Sequence, residues 1–301
     1  MQIIADSVRK EYGSVTALDG LSLEIPEGST FGILGTNGAG KTTLFKLLVG
    51  HDRPDDGRLT IGNRDVADAG VSIRERIGYL PERVGFPQAL TGREVLRFHA
   101  RMRGLSRDGR IADAIETVGL DTDDADRAVS GYSNGMRRRL GLAAAILPEP
   151  SVLVLDEPTA GLDPLGVAEF HRIIERVQTE TGSTVVITSH VLTEIERLCD
   201  NVAILHGGSV VTSGSVTDLV DADRMVVQLR PSSTDRVADL AALVDGFGTV
   251  TTINETVSVE CTVDSVPTLF GAVEGIDLAD AVVERDGLDA TFHDVIGGQH
   301  A

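Results

Sequence analysis

The distribution of apolar residues predicts that strands alternate with helices over the first 220 residues. Several short apolar runs are continuous rather than alternating, which is typical of strands buried on both faces of a largely parallel sheet. The seven runs lie at residues 3–4, 21–25, 31–34, 77–80, 152–155, 185–188 and 202–205. This pattern favours an α/β architecture.

The spacing becomes helical between residues 86 and 126. Apolar residues recur there at intervals of three and four along two stretches, namely Val95, Phe98 and Met102, followed by Ile111, Ile115 and Val118. Such spacing is typical of amphipathic helices. We therefore expect a helical subdomain, over about residues 86–145, inserted into the α/β domain of residues 1–220.

The pattern changes again after residue 220. It predicts strands at 225–229, 250–253, 257–263 and 281–283, helices at 235–244 and 266–273, and a terminal helix at 288–296. The order βαββαβ is that of a small ferredoxin-like α+β module. We expect residues 221–301 to form an accessory domain with a regulatory, dimerising or partner-contact role, because no motif of catalytic type falls within it.

The charge balance narrows the range of partners. The chain has 46 Asp and Glu against 27 Lys and Arg, a formal net charge of −19, and only three lysines. Such a surface repels nucleic acid and anionic lipid headgroups, so we expect neither nucleic-acid binding nor direct membrane insertion. Abundant hydrated carboxylates with few lysines also indicate a halophilic source, and an ordinary acidic cytosolic protein is the alternative.

The cysteines and the apolar stretches indicate a cytoplasmic protein. Cys199 and Cys261 are far apart and lack metal-ligand spacing, which excludes a zinc ribbon and a disulfide framework. The first residues lack the pattern of a secretory signal. The longest near-continuous apolar stretch, residues 140–147, is too short to span a bilayer.

A phosphate-binding loop follows the apolar run at 31–34 and precedes a helical pattern. It comprises Gly35, Thr36, Asn37, Gly38, Ala39, Gly40, Lys41 and Thr42, with Thr43 next in the chain. Glycines let backbone N–H groups converge on phosphate oxygens, and the following helix directs its positive end at the same anion. We expect Lys41 to contact the β- and γ-phosphates and the Thr42 hydroxyl to coordinate Mg²⁺.

Two carboxylates end the buried run at 152–155. Asp156 and Glu157 would therefore lie at the carboxyl edge of the sheet, beside the phosphate loop. We expect Asp156 to contact Mg²⁺ and Glu157 to act as general base for the attacking water. An acidic pair at a strand end is often only a solvated turn, and the phosphate loop decides between the two interpretations.

Further motifs lie, in order along the chain, at residues 10–13, 132–136, 158–163 and 188–190. Together with the phosphate loop and the acidic pair, they resemble the ATP-binding-cassette (ABC) ATPases over essentially all of residues 1–220. The resemblance implies a P-loop NTPase fold that binds ATP with Mg²⁺. It also implies that Tyr12 stacks on adenine and that His190 senses the γ-phosphate. Without the order of motifs, Tyr12 would be read as a core tyrosine and His190 as a structural histidine.

The resemblance further implies a homodimer. Residues 132–136 are similar to the family signature that binds the γ-phosphate held by the opposite subunit, through Ser133 and Gly135. The loop at 158–163, which ends at Asp163, is used in the family for cross-dimer contact. A single subunit leaves the outer face of the γ-phosphate open to water, and the signature of a second chain would close it.

Three positions depart from the family pattern. Glu82 stands where most members have a glutamine that contacts magnesium or the lytic water, and its alternative is an ordinary surface-loop carboxylate. Asn134 and Met136 replace a glycine and a glutamine of the commonest signature. Neither change removes Ser133 or Gly135, so we expect ATP to be bound between subunits.

Within the family, residues 79–82, 91–94 and 132–136 look like the branch that drives ABC-2-type exporters with a separate integral membrane permease. Residues 92–104 and 125–147 are most similar to the ATPase of the copper-processing transporter for nitrous-oxide reductase. The chain would then lie on the cytoplasmic face of the membrane through its permease. The alternatives are a soluble ABC ATPase without transport function and a nucleotide-binding scaffold without hydrolysis.

Overall fold

The computed structural model describes residues 1–105, 108–220, 223–285 and 287–297. The chain divides into two compact units, Met1–Ser215 and Val216–Ala301.

The first unit alternates strands and helices. Its strands are β1 (Ile3–Tyr12), β2 (Val15–Ile25), β3 (Thr30–Gly35), β4 (Asp56–Ile61), β5 (Arg64–Asp65), β6 (Ile77–Leu80), β7 (Val152–Asp156), β8 (Thr184–Thr188), β9 (Asn201–His206) and β10 (Ser209–Ser215). Its helices are α1 (Lys41–Leu48), α2 (Val66–Ala69), α3 (Val71–Arg74), α4 (Gly92–Met102), α5 (Asp108–Thr117), α6 (Thr122–Ala125), α7 (Asn134–Ile146), α8 (Pro164–Thr181) and α9 (Leu192–Leu198).

Two sheets form this unit. The six-stranded sheet has the order β10-β9-β3-β8-β7-β6, and all its pairings are parallel except that of β10 with β9. The second sheet, β2-β1-β4-β5, is antiparallel. The α/β prediction is confirmed, but the first two apolar runs lie in the antiparallel sheet. Their strands bury alternate residues over much of their length, as a sheet with one solvated face requires.

The phosphate-loop helix joins the core that the two sheets share. Four residues of α1 are fully buried there, together with apolar side chains of both sheets: Leu44, Phe45, Leu47 and Leu48. Burial of this helix face fixes the position of its N-terminus, because a packed core tolerates little displacement.

The helical stretch contains α4 to α7, as expected, and the predicted apolar residues Ile111, Ile115 and Val118 are buried. The apolar face of α4 differs from the prediction. Val95 and Leu96 of α4 are buried, whereas Phe98 is 55% and Met102 is 72% exposed. Helical spacing identified the helix correctly because it depends on local periodicity. It could not show which apolar residues the neighbouring helices cover.

The second unit contains the helix α10 (Val216–Leu219) and then the predicted βαββαβ order. Its further elements are β11 (Arg224–Pro231), α11 (Val237–Val244), β12 (Thr249–Ile253), β13 (Thr256–Thr262), α12 (Val266–Ala272), β14 (Leu278–Arg285) and α13 (Leu288–Gly297). The antiparallel sheet has the order β12-β13-β11-β14, and its buried side chains share a core with α11 and α12. This is the ferredoxin-like arrangement.

Within the described part of the chain, every helix is too short or too polar to cross a bilayer. Cys199 and Cys261 are both buried and free.

Candidate active site

The phosphate loop connects β3 to α1 and depends on glycine at its two ends. Gly35 has φ +154°, and a Cβ there would lie 2.4 Å from the carbonyl oxygen of Leu205. Gly40, at φ +105°, immediately precedes α1, and a Cβ there would lie 2.7 Å from the carbonyl oxygen of Ala17. Larger residues would therefore displace the loop, since both the conformation and the space favour glycine.

Lys41 is the first residue of α1. Its Nζ donates hydrogen bonds to the carbonyl oxygens of Gly35 at 2.6 Å and Thr36 at 3.2 Å. Burial lowers the pKa of Lys41, and the nearby carboxylates of Glu157 and Asp156 oppose that shift. The phosphate loop and the acidic pair therefore lie within electrostatic reach of each other, as predicted.

The register of the parallel strands brings the acidic pair next to β8. Asp156 ends β7 and pairs with Thr188, the last residue of β8. The Thr188 hydroxyl donates to Oδ1 of Asp156 at 2.9 Å and accepts from the backbone N–H of Glu157 at 3.0 Å. One buried hydroxyl thus fixes the position of both acidic residues.

Glu157 has a strained backbone and one carboxylate oxygen that accepts no hydrogen bond from the described residues. Its φ is +47°, a value that non-glycine residues adopt mainly where the surroundings enforce it. Oε2 accepts the backbone N–H of His190 at 3.1 Å, and Nε2 of His190 lies 3.3 Å from Oε1. Oε1 is buried and forms no hydrogen bond with any residue that the structure describes. The predicted base and the predicted switch histidine are therefore adjacent.

The electrostatics of the acidic pair are set by burial. Desolvation raises the pKa of Asp156, against hydrogen bonds from Thr188 and Tyr79, and Glu82 raises it further. Desolvation also raises the pKa of Glu157, and His190 opposes that shift. Buried carboxylates whose pKa values are raised are typical of sites that handle protons.

Tyr12 lies beside the phosphate-loop helix and is held by a carboxylate. Its hydroxyl donates to Oδ2 of Asp52 at 2.7 Å, and Nζ of Lys46 in α1 lies 6.0 Å from its ring centroid. The side chain is 43% exposed, so it is not the core tyrosine of the alternative interpretation. An exposed ring in this position can receive a flat ligand.

The other predicted nucleotide contacts lie in a separate cavity. Ser133, Gly135 and Asp163 line a cavity of about 520 Å³, and the residues that line it include none of the phosphate loop. Ser133 caps α7 by accepting the backbone N–H of Met136 at 3.2 Å, and Asp163 caps α8 in the same way through Gly166 at 2.7 Å. The Asn134 side chain donates to the Gly161 carbonyl oxygen at 2.9 Å, which joins the signature to the loop at 158–163.

Glu82 lies near the acidic pair but is exposed. Its charge raises the pKa values of Asp156 and Tyr79. Arg138 of α7 is buried and donates to the Pro81 carbonyl oxygen at 2.9 Å, which connects the helical stretch to this loop.

Three residues of the site were not predicted, namely Tyr79, Arg138 and Thr188. The phenol of Tyr79 is half-buried against Asp156, and burial with that carboxylate raises its pKa to about 12. A neutral phenol can donate to the carboxylate at any physiological pH. Thr188 could have been found from the sequence as a polar residue at the end of a buried strand. Tyr79 and Arg138 reach the site from other secondary-structure elements, and the sequence does not show that these elements are neighbours.

The buried charge at Glu157 leads to a prediction about thermal stability. Because its pKa is raised in the folded state, ionisation of Glu157 destabilises the fold above that pKa, and the deficit disappears below its ordinary value of 4.5. We expect Glu157→Gln to raise Tm by about 2–4 °C at pH 7 and to give no gain at pH 4. Exposed Glu175 of α8 provides the matched control, Glu175→Gln, for which we expect no change. A gain that persists at pH 4 would contradict the assignment of buried charge.

Comparison with known proteins identifies the family. The ABC transporter family model matches residues 18–160. The daunorubicin resistance ATP-binding protein DrrA3 of Streptomyces coeruleorubidus is 36% identical over 307 residues, with 98% of this chain and 96% of that protein covered. The bacitracin transport ATP-binding protein BcrA of Enterococcus faecalis is 36% identical over 222 residues, with 74% and 72% covered.

Solved structures agree. A structure described as the ATP binding subunit of an ABC transporter has a TM-score of 0.66 and 27% sequence identity, and the match covers 73% of this chain and 92% of that one. The chain has the phosphate loop, acidic pair and histidine described above, and one relative matches nearly its whole length. It therefore belongs to the ATP-binding subunits of ABC transporters, whose cassettes hydrolyse ATP.

Proposed function

We propose that two copies of this chain close around two ATP molecules and that hydrolysis at the two sites drives a separate membrane permease of the exporter type. The observation that carries the proposal is the buried Oε1 of Glu157, which accepts no hydrogen bond from the described residues and lies 3.3 Å from Nε2 of His190. The carboxylate is also within electrostatic reach of Lys41. A carboxylate held in this way can accept a proton from the water that attacks the γ-phosphate.

The phosphates would be held from one chain by the loop and Lys41. Oxygen ligands suit magnesium, and Asp156 with the exposed Thr42 hydroxyl at the start of α1 fits that preference. Exposed Glu82 lies near Asp156 and would add charge there rather than the usual amide. Bound magnesium would neutralise part of the phosphate charge. Among the described residues, no group of three or more His, Cys, Asp or Glu could hold a metal alone, so phosphate oxygens would complete the ligand set.

The outer face of the γ-phosphate would be closed by the second chain. Ser133 and Gly135 stand at the N-terminus of α7, a 13-residue helix whose first N–H groups and dipole attract anions. The residues that line their cavity include none of the phosphate loop, which supports a site completed by a second chain. Asp163, as the cap of α8, would position the loop at 158–163 for contact across the dimer.

Tyr12 would stack on the adenine. Base–aromatic stacking contributes about 1–3 kcal/mol, so we expect Tyr12→Ala to raise the Kd for ATP by about tenfold. Tyr12→Phe keeps the ring but loses the hydrogen bond to Asp52, and we expect it to bind within about twofold of the wild type. Titration with a fluorescent ATP analogue measures both. Equal losses in the two variants would show that the hydroxyl, rather than the ring, is what matters.

The permease would contact the helical stretch near the loop that follows β6. Phe98 and Met102 of α4 are exposed there, and the ring of Phe86 lies 6.2 Å from that of His99. Apolar side chains on a surface beside a loop that reaches the active site suit a cytoplasmic helix of a permease. Helix α7 packs on α4, and its Arg138 contacts the Pro81 carbonyl oxygen, so movement of the two helices would reach the loop next to Asp156.

The names of two relatives refer to daunorubicin and bacitracin, so an antibiotic-like molecule is the cargo that we propose for this chain's transporter. Deletion of the gene in the source organism is expected to lower the inhibitory concentration of at least one such compound several-fold. The wild-type gene would restore it and a Glu157→Gln gene would not. Unchanged sensitivity across anthracyclines and cyclic peptides would contradict an antibiotic exporter. The copper-processing role stays a prediction from sequence resemblance.

The acidic surface supports a further proposal, that the protein works in concentrated salt. With a net charge of −19, self-repulsion destabilises the folded state at low ionic strength. We expect Tm to rise by about 10 °C or more between 0.1 and 2 M KCl, because the Debye length falls below 3 Å in that range. Thermal unfolding followed by circular dichroism measures this, and a flat or falling Tm would favour the ordinary acidic protein.

A further inference from the structure

One largely buried carboxylate of the first unit has no role in the function proposed above. Glu194 lies in the first turn of α9, and its side chain is only 12% exposed. Its Oε2 accepts a hydrogen bond from the Thr159 hydroxyl at 2.6 Å and another from the Ser189 hydroxyl at 3.1 Å. Both hydroxyl residues are themselves buried.

The two hydroxyls belong to two different parts of the site. Thr159 lies in the loop at 158–163, which contacts the signature through the Gly161 carbonyl oxygen and ends at the helix cap Asp163. Ser189 immediately precedes His190, and its hydroxyl also accepts the backbone N–H of Val191 at 3.0 Å. A single carboxylate oxygen therefore holds both the loop at 158–163 and the turn that carries His190.

A third polar group lies close to the same oxygen. Nε2 of His171, a buried residue of α8, is 3.8 Å from Oε2 of Glu194, and neither ring nitrogen forms a hydrogen bond with a described residue. Burial raises the pKa of Glu194, but the contacts with His171, Thr159 and Ser189 outweigh it and lower the pKa overall. The carboxylate is thus ionised and acts only as an acceptor, so both hydroxyls must donate to it.

We propose that Glu194 is a positioning residue that couples the loop at 158–163 to His190. The inference rests on the proposed function, in which that loop contacts the second chain and His190 lies at the γ-phosphate. When the dimer closes, Thr159 would move. The shared oxygen of Glu194 would then either shift Ser189 or lose its hydrogen bond from Ser189, which is next to His190. Closure of the interface and alignment of His190 against Glu157 would then be one event rather than two.

A double-mutant cycle tests this coupling without altering Glu194. Thr159→Val and Ser189→Ala each remove one donor, and we expect each to lower kcat by about three- to tenfold because a hydrogen bond to a charged group is lost. If the shared oxygen couples them, the double variant will be no slower than the slower single variant. Effects that multiply would overturn the inference.

Changing Glu194 itself supplies a second readout. We expect Glu194→Ala to lower kcat by about tenfold with the affinity of each chain for ATP unchanged, and Glu194→Gln to recover part of the rate because its carbonyl oxygen still accepts. In the Glu194→Ala background, Thr159→Val should have no further effect. Glu175→Gln serves as the control, with wild-type kcat expected. A kcat for Glu194→Ala within twofold of the wild type would also overturn the inference.

The outcomes separate this inference from the proposed function. If the wild-type chain neither dimerises with ATP nor hydrolyses it, the proposed function fails. If the wild type does both while the two substitutions act independently, only the coupling through Glu194 fails.

Discussion

Replacing Glu157 with glutamine is expected to lower steady-state ATP hydrolysis by about 100- to 1,000-fold, the usual contribution of a positioned general base. The glutamine amide has the same size as the carboxylate, and its oxygen can still accept the backbone N–H of His190. In the wild type this N–H donates to Oε2 of Glu157 at 3.1 Å. It cannot take a proton from water. The strained backbone at φ +47° is unchanged, so the fold and the phosphate loop should be retained.

The same variant should accumulate the closed dimer. With ATP bound and hydrolysis blocked, the interface has no route to reopen, and size-exclusion chromatography with ATP should show a dimer that the wild type forms only briefly. Phosphate release measures the rate, and Glu175→Gln controls for loss of a carboxylate elsewhere in the chain. If Glu157→Gln hydrolysed ATP at more than a tenth of the wild-type rate, Glu157 would not be the general base.

The second large effect is expected at Gly135, far along the chain from the phosphate loop. A Cβ at this position would have only ordinary contacts, with Leu162 at 3.7 Å and Ser133 at 3.9 Å. Gly135→Asp should therefore fold. It would direct a carboxylate into the cavity where the proposal places the γ-phosphate of the other chain, and like charges repel strongly in such a water-poor site.

We expect Gly135→Asp to lower hydrolysis by about 100-fold and to abolish ATP-dependent dimerisation, while each chain binds ATP as the wild type does. The matched control is Gly109→Asp, at an exposed position of α5 where a Cβ would have no neighbour within 4 Å. Isothermal titration and chromatography separate the two effects. A loss of ATP affinity in the isolated chain equal to the loss of rate would mean that Gly135 acts on its own chain's nucleotide.

Much of this site was predictable because its residues occupy loops that directly follow buried strands. The phosphate loop, Asp156 and Glu157 each come at the end of an apolar run, and parallel strands bring such ends to one edge. His190 also follows a buried strand, β8, but its role was implied only by the resemblance to the ABC ATPases. The pattern of apolar residues changes after residue 220, near the division between the compact units Met1–Ser215 and Val216–Ala301.

The remainder depends on three-dimensional register. Thr188 is level with Asp156 only because β7 and β8 pair in one particular register, and Tyr79 reaches Asp156 across the β6–β7 pairing. The exposure of Phe98 and Met102 depends on which helices pack on α4. Local periodicity has no information about such neighbours.

The central claim is that each active site is built from two chains, and mixing two inactive variants tests it most directly. Lys41→Ala removes the phosphate contact and Gly135→Asp blocks the signature, so each variant alone should be inactive. In a mixed dimer, one site combines the intact phosphate loop of the Gly135→Asp chain with the intact signature of the Lys41→Ala chain. An equimolar mixture should then recover about a quarter to a half of the wild-type rate, because one of the two sites in a mixed dimer is intact. Random pairing makes half of the dimers mixed, and the share is larger when Gly135→Asp chains do not dimerise with each other. If each chain carried a complete site by itself, the mixture would be as inactive as its components, and that result would contradict the account.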